Sequence, residues 1–370
     1  MTRARSIADI GDDVAAGGSL VTTESPSLGR RNLIINGAMQ VAQRGTSFNI
    51  AHDGDREAFP VDRFKFIMDT AMDSYDATVE QSSDAPDGFA NSFKITTGTA
   101  ETGVDAEEYI LVEHKVEAQN LQQLNYGSAS AQLTTFSFWV KSSVTGTFGM
   151  SVYVPDSGRI IGKQYTINSA DTWEYKTITV EGDTSGSGIA NDNGEGVRIA
   201  WWLLAGSDFT GTDNTDWVDF VTTAYGDAVE QNGVGTTAGA TWQITGVQLE
   251  VGSVATPFEH RSYGEELAAC QRYYFQNGPL IGFWTASNEF RQSICFPVAM
   301  RTGPELAIID SNGYHELLNT SGYNGVSSIN FFAVTTVGAD IRIVSSADRG
   351  RSLGNPCKLG ENVISLSAEL

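Results

Sequence analysis

The sequence predicts an all-β protein: an antiparallel β-sandwich of the jelly-roll type, followed by a short helix and a small C-terminal β domain. Three observations predict this fold. From about residue 32, apolar residues recur at every second position in short runs, and loops rich in Gly, Asp, Asn and Ser separate these runs. No helical period longer than three turns occurs before residue 262. Many short alternating strands with turn-rich connections are typical of sandwiches and jelly rolls.

The length of 370 residues, 41% of them hydrophobic, favours two domains and a tail. We expect an N-terminal arm over 1–31, a jelly-roll domain over 32–261, and a linker helix with a C-terminal β domain over 262–370. The arm has few apolar residues and several glycines. Its candidate anchoring residues, which would hold it on a larger assembly, are Arg3, Arg5, Ile7 and Ile10.

Two runs show the strand period most clearly. In TTFSFWVKS, Phe136 and Phe138 share one face and Trp139 lies on the other, as a period of two requires. In VRIAWWLLA, both faces are mostly apolar, which predicts a central strand that is covered on both sides. We expect Trp173, Trp201 and Trp242, which lie on strongly patterned runs, to be core residues.

The run TWQITGVQLEV keeps its inward face only if the strand slips by one residue at Thr245–Gly246. Trp242 and Ile244 have one parity, whereas Val247 and the apolar residues after it have the other. A glycine at such a slip is typical of a β-bulge. Gly246 is therefore the predicted bulge.

A helix begins after this strand. Ser262 and Glu265 have the S-x-x-E spacing of a capping box, and Leu267, Cys270 and Tyr274 follow at helical spacing. Beyond the helix, roughly 95 residues contain few strong strands, a thin core for a monomer. We expect partner copies to complete this core.

Charge excludes several functions. The 45 acidic and 23 basic residues give a net charge of −22, which repels nucleic-acid phosphates and anionic lipids. The longest apolar run, 199–205, is far shorter than the ~20 residues that cross a bilayer, so no membrane insertion is expected. The first residues lack the apolar segment of a secretory signal, and three cysteines without CxxC spacing predict no disulfide framework or zinc site.

Five blocks of the sequence belong together: NLIINGAMQVAQRG (32–45), DRF (62–64), SFWVKS (137–142), ITGVQLEVGSVATPFEHRSYGEELAACQRYY (244–274) and CFPVAMRTGPEL (295–306). These blocks resemble a bacteriophage virion family, the tail-fibre or receptor-binding proteins with a carbohydrate-binding-module-like jelly roll. The resemblance covers about 250 positions. Phe64 departs from the Trp or Tyr usual in the family but keeps a core aromatic residue.

The resemblance implies a homotrimeric tail fibre on the exterior of the virion, made in the host cytoplasm. Its arm would bind a phage tail or capsid protein, and its outer domains would bind host cell-surface polysaccharide. Two alternatives stay open: a capsid (head) fibre or decoration protein, and a tailspike-like glycan depolymerase.

No catalytic motif is present. The four histidines occur in no HExxH, H-x-x-x-H or GxSxG context, and no carboxylate pair stands out among 45 acids, so we expect a protein that is not an enzyme. Sugar recognition needs aromatic faces outside the core. The candidate carbohydrate-binding residues are Trp139, Trp217, Tyr225 and Trp284.

Calcium is the one cofactor that the sequence suggests. Residues 206–235 contain five aspartates and a glutamate but no Lys or Arg, and oxygen-rich loops of this kind can hold Ca²⁺. Asp213 and Asp216 are the candidate ligands. Apart from this site we expect no cofactor.

Overall fold

The computed structural model describes residues 30–226, 233–277, 281–286, 288–309, 316–319, 322–345, 356–359 and 363–370. The predicted anchoring residues Arg3, Arg5, Ile7 and Ile10 lie outside these ranges. Within them, no helix has the length and apolar character needed to span a membrane.

Within the described ranges, thirteen strands build the N-terminal sandwich. They are β1 (Ser47–Ala51), β2 (Glu57–Val61), β3 (Phe64–Met68), β4 (Asp76–Ser82), β5 (Ser92–Thr97), β6 (Tyr109–Glu117), β7 (Thr134–Ser142), β8 (Gly146–Val154), β9 (Arg159–Ile167), β10 (Glu174–Val180), β11 (Glu195–Ala205), β12 (Val218–Asp219) and β13 (Thr241–Val251). One sheet has the order β1-β4-β5-β13-β7-β10 and the other β12-β9-β8-β11-β6-β3-β2. The pairs between these strands are antiparallel. The predicted antiparallel β-sandwich is confirmed.

The core lies between the inner faces of the two sheets. Phe136 and Phe138 of β7, Trp242 of β13 and Trp201 of β11 are each 0% exposed. The Trp201 ring lies 6.2 Å from the Phe138 ring in an edge-on arrangement. Burial of one such aromatic side chain is worth about 5 kcal/mol by its area, so these rings are a large part of the stability of the sandwich.

The predicted bulge in β13 is present. Pairing of β13 with β7 shifts its register between Thr245 and Gln248, and Gly246 has a φ of +62°. A Cβ at Gly246 would lie 2.7 Å from the ring of Phe89. The bulge allows Trp242 and Val247 to face the same core in spite of their opposite parity, and both are 0% exposed.

The seven-stranded sheet is covered on its outer face as well, which confirms the expectation for β11. Trp202 is 1% exposed and donates from Nε1 to Ser151 Oγ at 2.9 Å. Phe209 and Tyr225, from the loop after β11, pack on the outer side of Trp202. The loop after β11, residues 206–226, which we call the acidic loop, is thus fixed to the sandwich by a second, smaller core.

The single α-helix of the described residues, α1 (Tyr263–Gln271), begins with the predicted capping box: Ser262 accepts from the Glu265 N–H, and Glu265 accepts from the Ser262 N–H. After the helix, Arg272 and Tyr273 bind Glu117 of the sandwich. Arg272 donates to the two Glu117 oxygens at 2.8 and 2.5 Å, and the Tyr273 hydroxyl donates at 2.9 Å. We call Glu117, Arg272 and Tyr273 the joint.

The C-terminal region is a small β domain, as predicted. Its strands are β14 (Tyr274–Asn277), β15 (Ile281–Ala286), β16 (Glu289–Cys295), β17 (Glu305–Ile309), β18 (Glu316–Asn319), β19 (Gly322–Phe332), β20 (Gly338–Ser345), β21 (Pro356–Leu359) and β22 (Val363–Ser367). Strands β14-β22-β17 form a sheet, and β15-β16-β20-β19-β18-β21 close into a barrel. Ile294, Ile341 and Ile343 are buried in it. The predicted trimer stays a prediction.

Candidate functional site

An exposed group of aromatic rings lies on the outer face of the six-stranded sheet. Trp139 of β7 points outward, as its parity predicts, and is half-buried. It lies directly opposite Tyr175 of β10 in the strand register, and the two rings are 5.3 Å apart with an interplanar angle of 49°. Tyr175 is 44% exposed. Trp173, half-buried, precedes β10 and lies two residues from Tyr175. We call Trp139, Trp173 and Tyr175 the aromatic platform.

Polar side chains brace the platform. Trp173 donates from Nε1 to Asp84 Oδ1 at 3.2 Å, and the Lys141 ammonium lies 5.5 Å from the centre of the Trp173 ring. Lys141 also forms an ion pair with Asp84, which accepts from Gln243 Nε2 at 3.2 Å. Partial burial acts to raise the pKa of Asp84, but hydrogen bonds from Lys141, Trp173 and Gln243 outweigh it and lower that pKa. The carboxylate is therefore charged and fixed in place at neutral pH.

A loop covers the centre of this face beside β13, so the platform is bounded on one side. The outward residue Thr245 of β13, the neighbour of Trp139 in the register, is 0% exposed and donates to the Asn91 carbonyl at 2.7 Å. Phe89 packs on Phe258 at a ring distance of 5.0 Å. The platform lies between this covered centre and the edge strand β10, where solvent reaches the rings.

The chemistry of the platform suits a sugar. Aromatic faces bury the apolar C–H face of a pyranose ring, and adjacent charged or hydroxyl groups bind its hydroxyls. Here, Lys141 and Asp84 supply a donor and an acceptor beside the rings, and Thr177, the exposed outward residue that follows Tyr175 on β10, adds a hydroxyl. A platform on two paired strands is also rigid, which lowers the entropy cost of binding.

The other predicted aromatic residues have protein partners. Trp217 donates from Nε1 to the Glu181 carbonyl at 2.7 Å, and its ring packs edge-on against Tyr126 at 5.6 Å. Tyr225 packs edge-on against Trp202 at 4.8 Å and accepts from Arg198 at 3.3 Å, and burial raises its pKa to about 12. The structure does not bring either residue to the aromatic platform.

The predicted calcium ligands are exposed in the acidic loop. Asp213 Oδ1 accepts from the N–H and the hydroxyl of Thr215 at 3.0 and 2.8 Å, and these bonds lower its pKa. Asp216 is also exposed. Within the described ranges, neither aspartate belongs to a group of three side chains placed to share a metal ion. Calcium binding there stays a prediction.

Trp284 lies on β15 of the barrel, opposite Phe290 of β16, and its side chain lies outside the described part. Close to it on the same strand, Phe283 borders a cleft of about 490 Å³ whose other wall contains Phe332. Arg291, Ser293 and Asp340 lie between the two rings. This cleft is a second surface with exposed aromatic and polar groups.

Sequence reasoning missed part of the platform. The expectation that Trp173 is a core residue is wrong: it lies just before β10 and is held at the surface by Asp84. The sequence could have indicated Tyr175, because in EYKTITV it has the opposite parity to the buried residues Ile178 and Val180 and therefore faces outward. Lys141 lies on β7 and Asp84 lies in the loop between β4 and β5, so no local pattern in the sequence connects these two residues.

Comparisons with known proteins give only distant matches. No family model and no curated protein matches the chain. Among solved structures, the chain is similar to the enzymatically active domain of bacteriophage CBA120 tailspike protein 4, with 11% identity and a TM-score of 0.33 over 60% of this chain and 21% of that one. The chain thus spans about a fifth of the length of that tailspike domain.

Two carbohydrate-binding modules are also similar over most of their own length. A structure described as CBM4 matches with 12% identity and a TM-score of 0.28, over 59% of this chain and 99% of that one. The family 11 module from Clostridium thermocellum, in complex with a β-1,3-1,4-mixed-linked tetrasaccharide, matches with 9% identity and a TM-score of 0.28, over 57% and 99%. At these values the matches carry no argument about function.

Proposed function

We propose that this protein is a virion fibre that binds host surface glycan through its aromatic platform and does not cleave it. The observation that carries the proposal is the pair of Trp139 and Tyr175, which lie opposite each other on neighbouring strands with Tyr175 exposed, Trp139 half-buried and Trp173 beside them. Exposed rings on a rigid sheet, next to a fixed carboxylate and ammonium, form a surface for pyranose rings rather than for nucleic acid.

The virion part of the proposal rests on the sequence blocks that resemble phage tail fibres. Residues 1–31 would anchor the chain to a tail or capsid protein, and three copies would form the fibre. Trimerisation would strengthen binding by such a platform, because several weak sugar contacts on one fibre act together by avidity. The head-fibre alternative differs from this proposal only in the virion protein to which the arm binds. The depolymerase alternative differs because the protein would cleave the glycan.

The experiment is a glycan-array and polysaccharide-retention assay of the full chain. We expect the wild-type protein to retain host polysaccharide unchanged, with no increase in reducing ends. Release of reducing ends in proportion to protein concentration would instead establish the depolymerase alternative.

Variants locate the binding surface. Trp139→Ala removes the ring that a sugar would cover, and loss of about 1.5–2 kcal/mol of apolar contact corresponds to at least a tenfold weaker affinity. Tyr263→Ala is the matched control, because Tyr263 is 57% exposed on α1, away from the platform. Equal affinity of the two variants would contradict the assignment of the platform as the binding surface.

A further inference from the structure

A group of three carboxylates lies at one end of the sandwich, apart from the aromatic platform and from the acidic loop. Asp73 lies between β3 and β4, and Glu101 and Glu108 lie between β5 and β6. A carboxylate oxygen of each lies within 4.8 Å of the others. Asp73 is exposed, whereas Glu101 and Glu108 are 3% and 1% exposed.

The group lacks a counter-charge. None of the ion pairs among the described residues involves Asp73, Glu101 or Glu108. Buried carboxylates in proteins are paired, protonated or bound to a metal, since an isolated buried charge is costly.

One buried oxygen of the group has no hydrogen-bond partner among the described residues. Glu101 Oε1 accepts from the Ser74 hydroxyl and from the Thr102 N–H, both at 2.9 Å. Glu101 Oε2 is fully buried and, within the part of the chain that the structure describes, has no hydrogen-bond partner. Glu108 is also held in place, because its Oε2 accepts from the Asp105 N–H at 2.9 Å. The two buried carboxylates are therefore positioned before any ligand binds, and one offers a free acceptor.

The spacing fits one calcium ion. Ca²⁺ binds oxygen ligands at about 2.3–2.6 Å, so oxygens on opposite sides of one ion are up to about 5 Å apart. The carboxylate oxygens of the group all lie within 4.8 Å of one another, inside this span. Mg²⁺ gives up its waters reluctantly and is usually bound by only one or two carboxylates, so a site of three protein carboxylates suits Ca²⁺ better. The exposed side, at Asp73, is open for water to complete the coordination.

We propose that Asp73, Glu101 and Glu108 bind one Ca²⁺ that ties the loop before β4 to the loop before β6. The ion supplies the missing positive charge and a partner for Glu101 Oε2. This site is distinct from Asp213 and Asp216, the ligands that the sequence suggested, and does not depend on the proposed glycan binding.

The test uses the full chain, freed of metal with EDTA and then given CaCl₂ or MgCl₂. We expect Ca²⁺ at 100 times its Kd to raise the Tm by about 5–10 °C, and calorimetric titration to give one ion per chain at this site. Mg²⁺ should raise the Tm much less. An equal effect of both ions would contradict the assignment to calcium.

Variants distinguish the site from the acidic loop. Asp73→Asn changes an exposed carboxylate, so it should fold normally and bind Ca²⁺ at least tenfold more weakly. Glu101→Gln should remove the Tm shift and leave the metal-free protein at least as stable, because it removes repulsion. The control, Asp213→Asn with Asp216→Asn, should keep the full shift. No shift in the wild-type protein, or a shift lost in the control and kept in Asp73→Asn, would overturn the proposal.

Discussion

Loss of the Arg272 side chain should weaken the joint between the sandwich and the helix. Glu117 is 0% exposed, and the Arg272 guanidinium binds both of its oxygens. Arg272→Ala would leave a buried carboxylate with the Tyr273 hydroxyl and the Gln119 amide as its donors. Breaking a buried ion pair from one side costs about 3–5 kcal/mol.

The expected cost lies at or below the lower limit of that range. The Arg272 side chain is 30% exposed, so solvent already screens part of the interaction. With two donors retained, we expect about 2–3 kcal/mol, which corresponds to a Tm lower by about 5–10 °C for a domain of this size. The control is Lys163→Ala, which breaks an exposed ion pair with Glu181 at 2.9 Å and should cost less than about 1 kcal/mol.

Urea unfolding followed by far-ultraviolet circular dichroism measures both variants. The pH dependence gives a second readout. Burial acts to raise the pKa of Glu117, but bonds from Arg272 and Tyr273 outweigh it and lower that pKa, so the stabilisation is present at neutral pH and is lost as pH falls below about 4.5. In Arg272→Ala, the free energy of unfolding should fall less steeply as the pH falls below about 4.5. If the free energy of unfolding lost in Arg272→Ala is within about 0.5 kcal/mol of that lost in Lys163→Ala, the ion pair of Arg272 with Glu117 does not stabilise the joint as described.

Two further predictions concern the sandwich. Gly246→Ala should lower the free energy of unfolding by about 2–4 kcal/mol, because alanine is strained at a positive φ and its Cβ would contact the Phe89 ring. The control is Gly239→Ala, which has a φ of +78° and nothing within 4 Å of the added Cβ, and should cost only about 1 kcal/mol. Similar urea midpoints for the two variants would contradict the structural role of the bulge. Burial, and to a smaller extent the positive charge of Arg63, hold the pKa of His114 well below 6.5. The free energy of unfolding of the wild-type protein should therefore fall by about 1.4 kcal/mol between pH 7.5 and pH 5.5. His114→Phe should not show this loss, and the same loss in both proteins would assign it to other groups.

The parts of the fold that follow local rules were predictable from the sequence. The inward parity of Phe136 and Phe138, the bulge at Gly246 and the capping box at Ser262 each depend on residues close together in the chain. The closed barrel was not predictable, since its strands are short and pair across long separations. The barrel forms through contacts between residues far apart in the sequence, and a local hydrophobic period does not reveal such contacts.

The candidate site was predictable only at Trp139, where the strand parity excludes the residue from the core. Tyr175 lies opposite Trp139 because of the pairing of β10 with β7, which depends on the order of strands in the sheet. Trp173 was misassigned, because a tryptophan beside a patterned strand is more often buried than exposed. Three carboxylates from two loops meet at the end of the sandwich by tertiary folding alone.

Glycan binding by the platform can be tested with a structure of the full chain in complex with an oligosaccharide selected on the array. We expect a pyranose ring against Trp139 and Tyr175, with carbon atoms about 4 Å from the rings and hydroxyls bound to Lys141 or Asp84. A sugar found in the barrel cleft beside Phe283, with the platform empty, would contradict it.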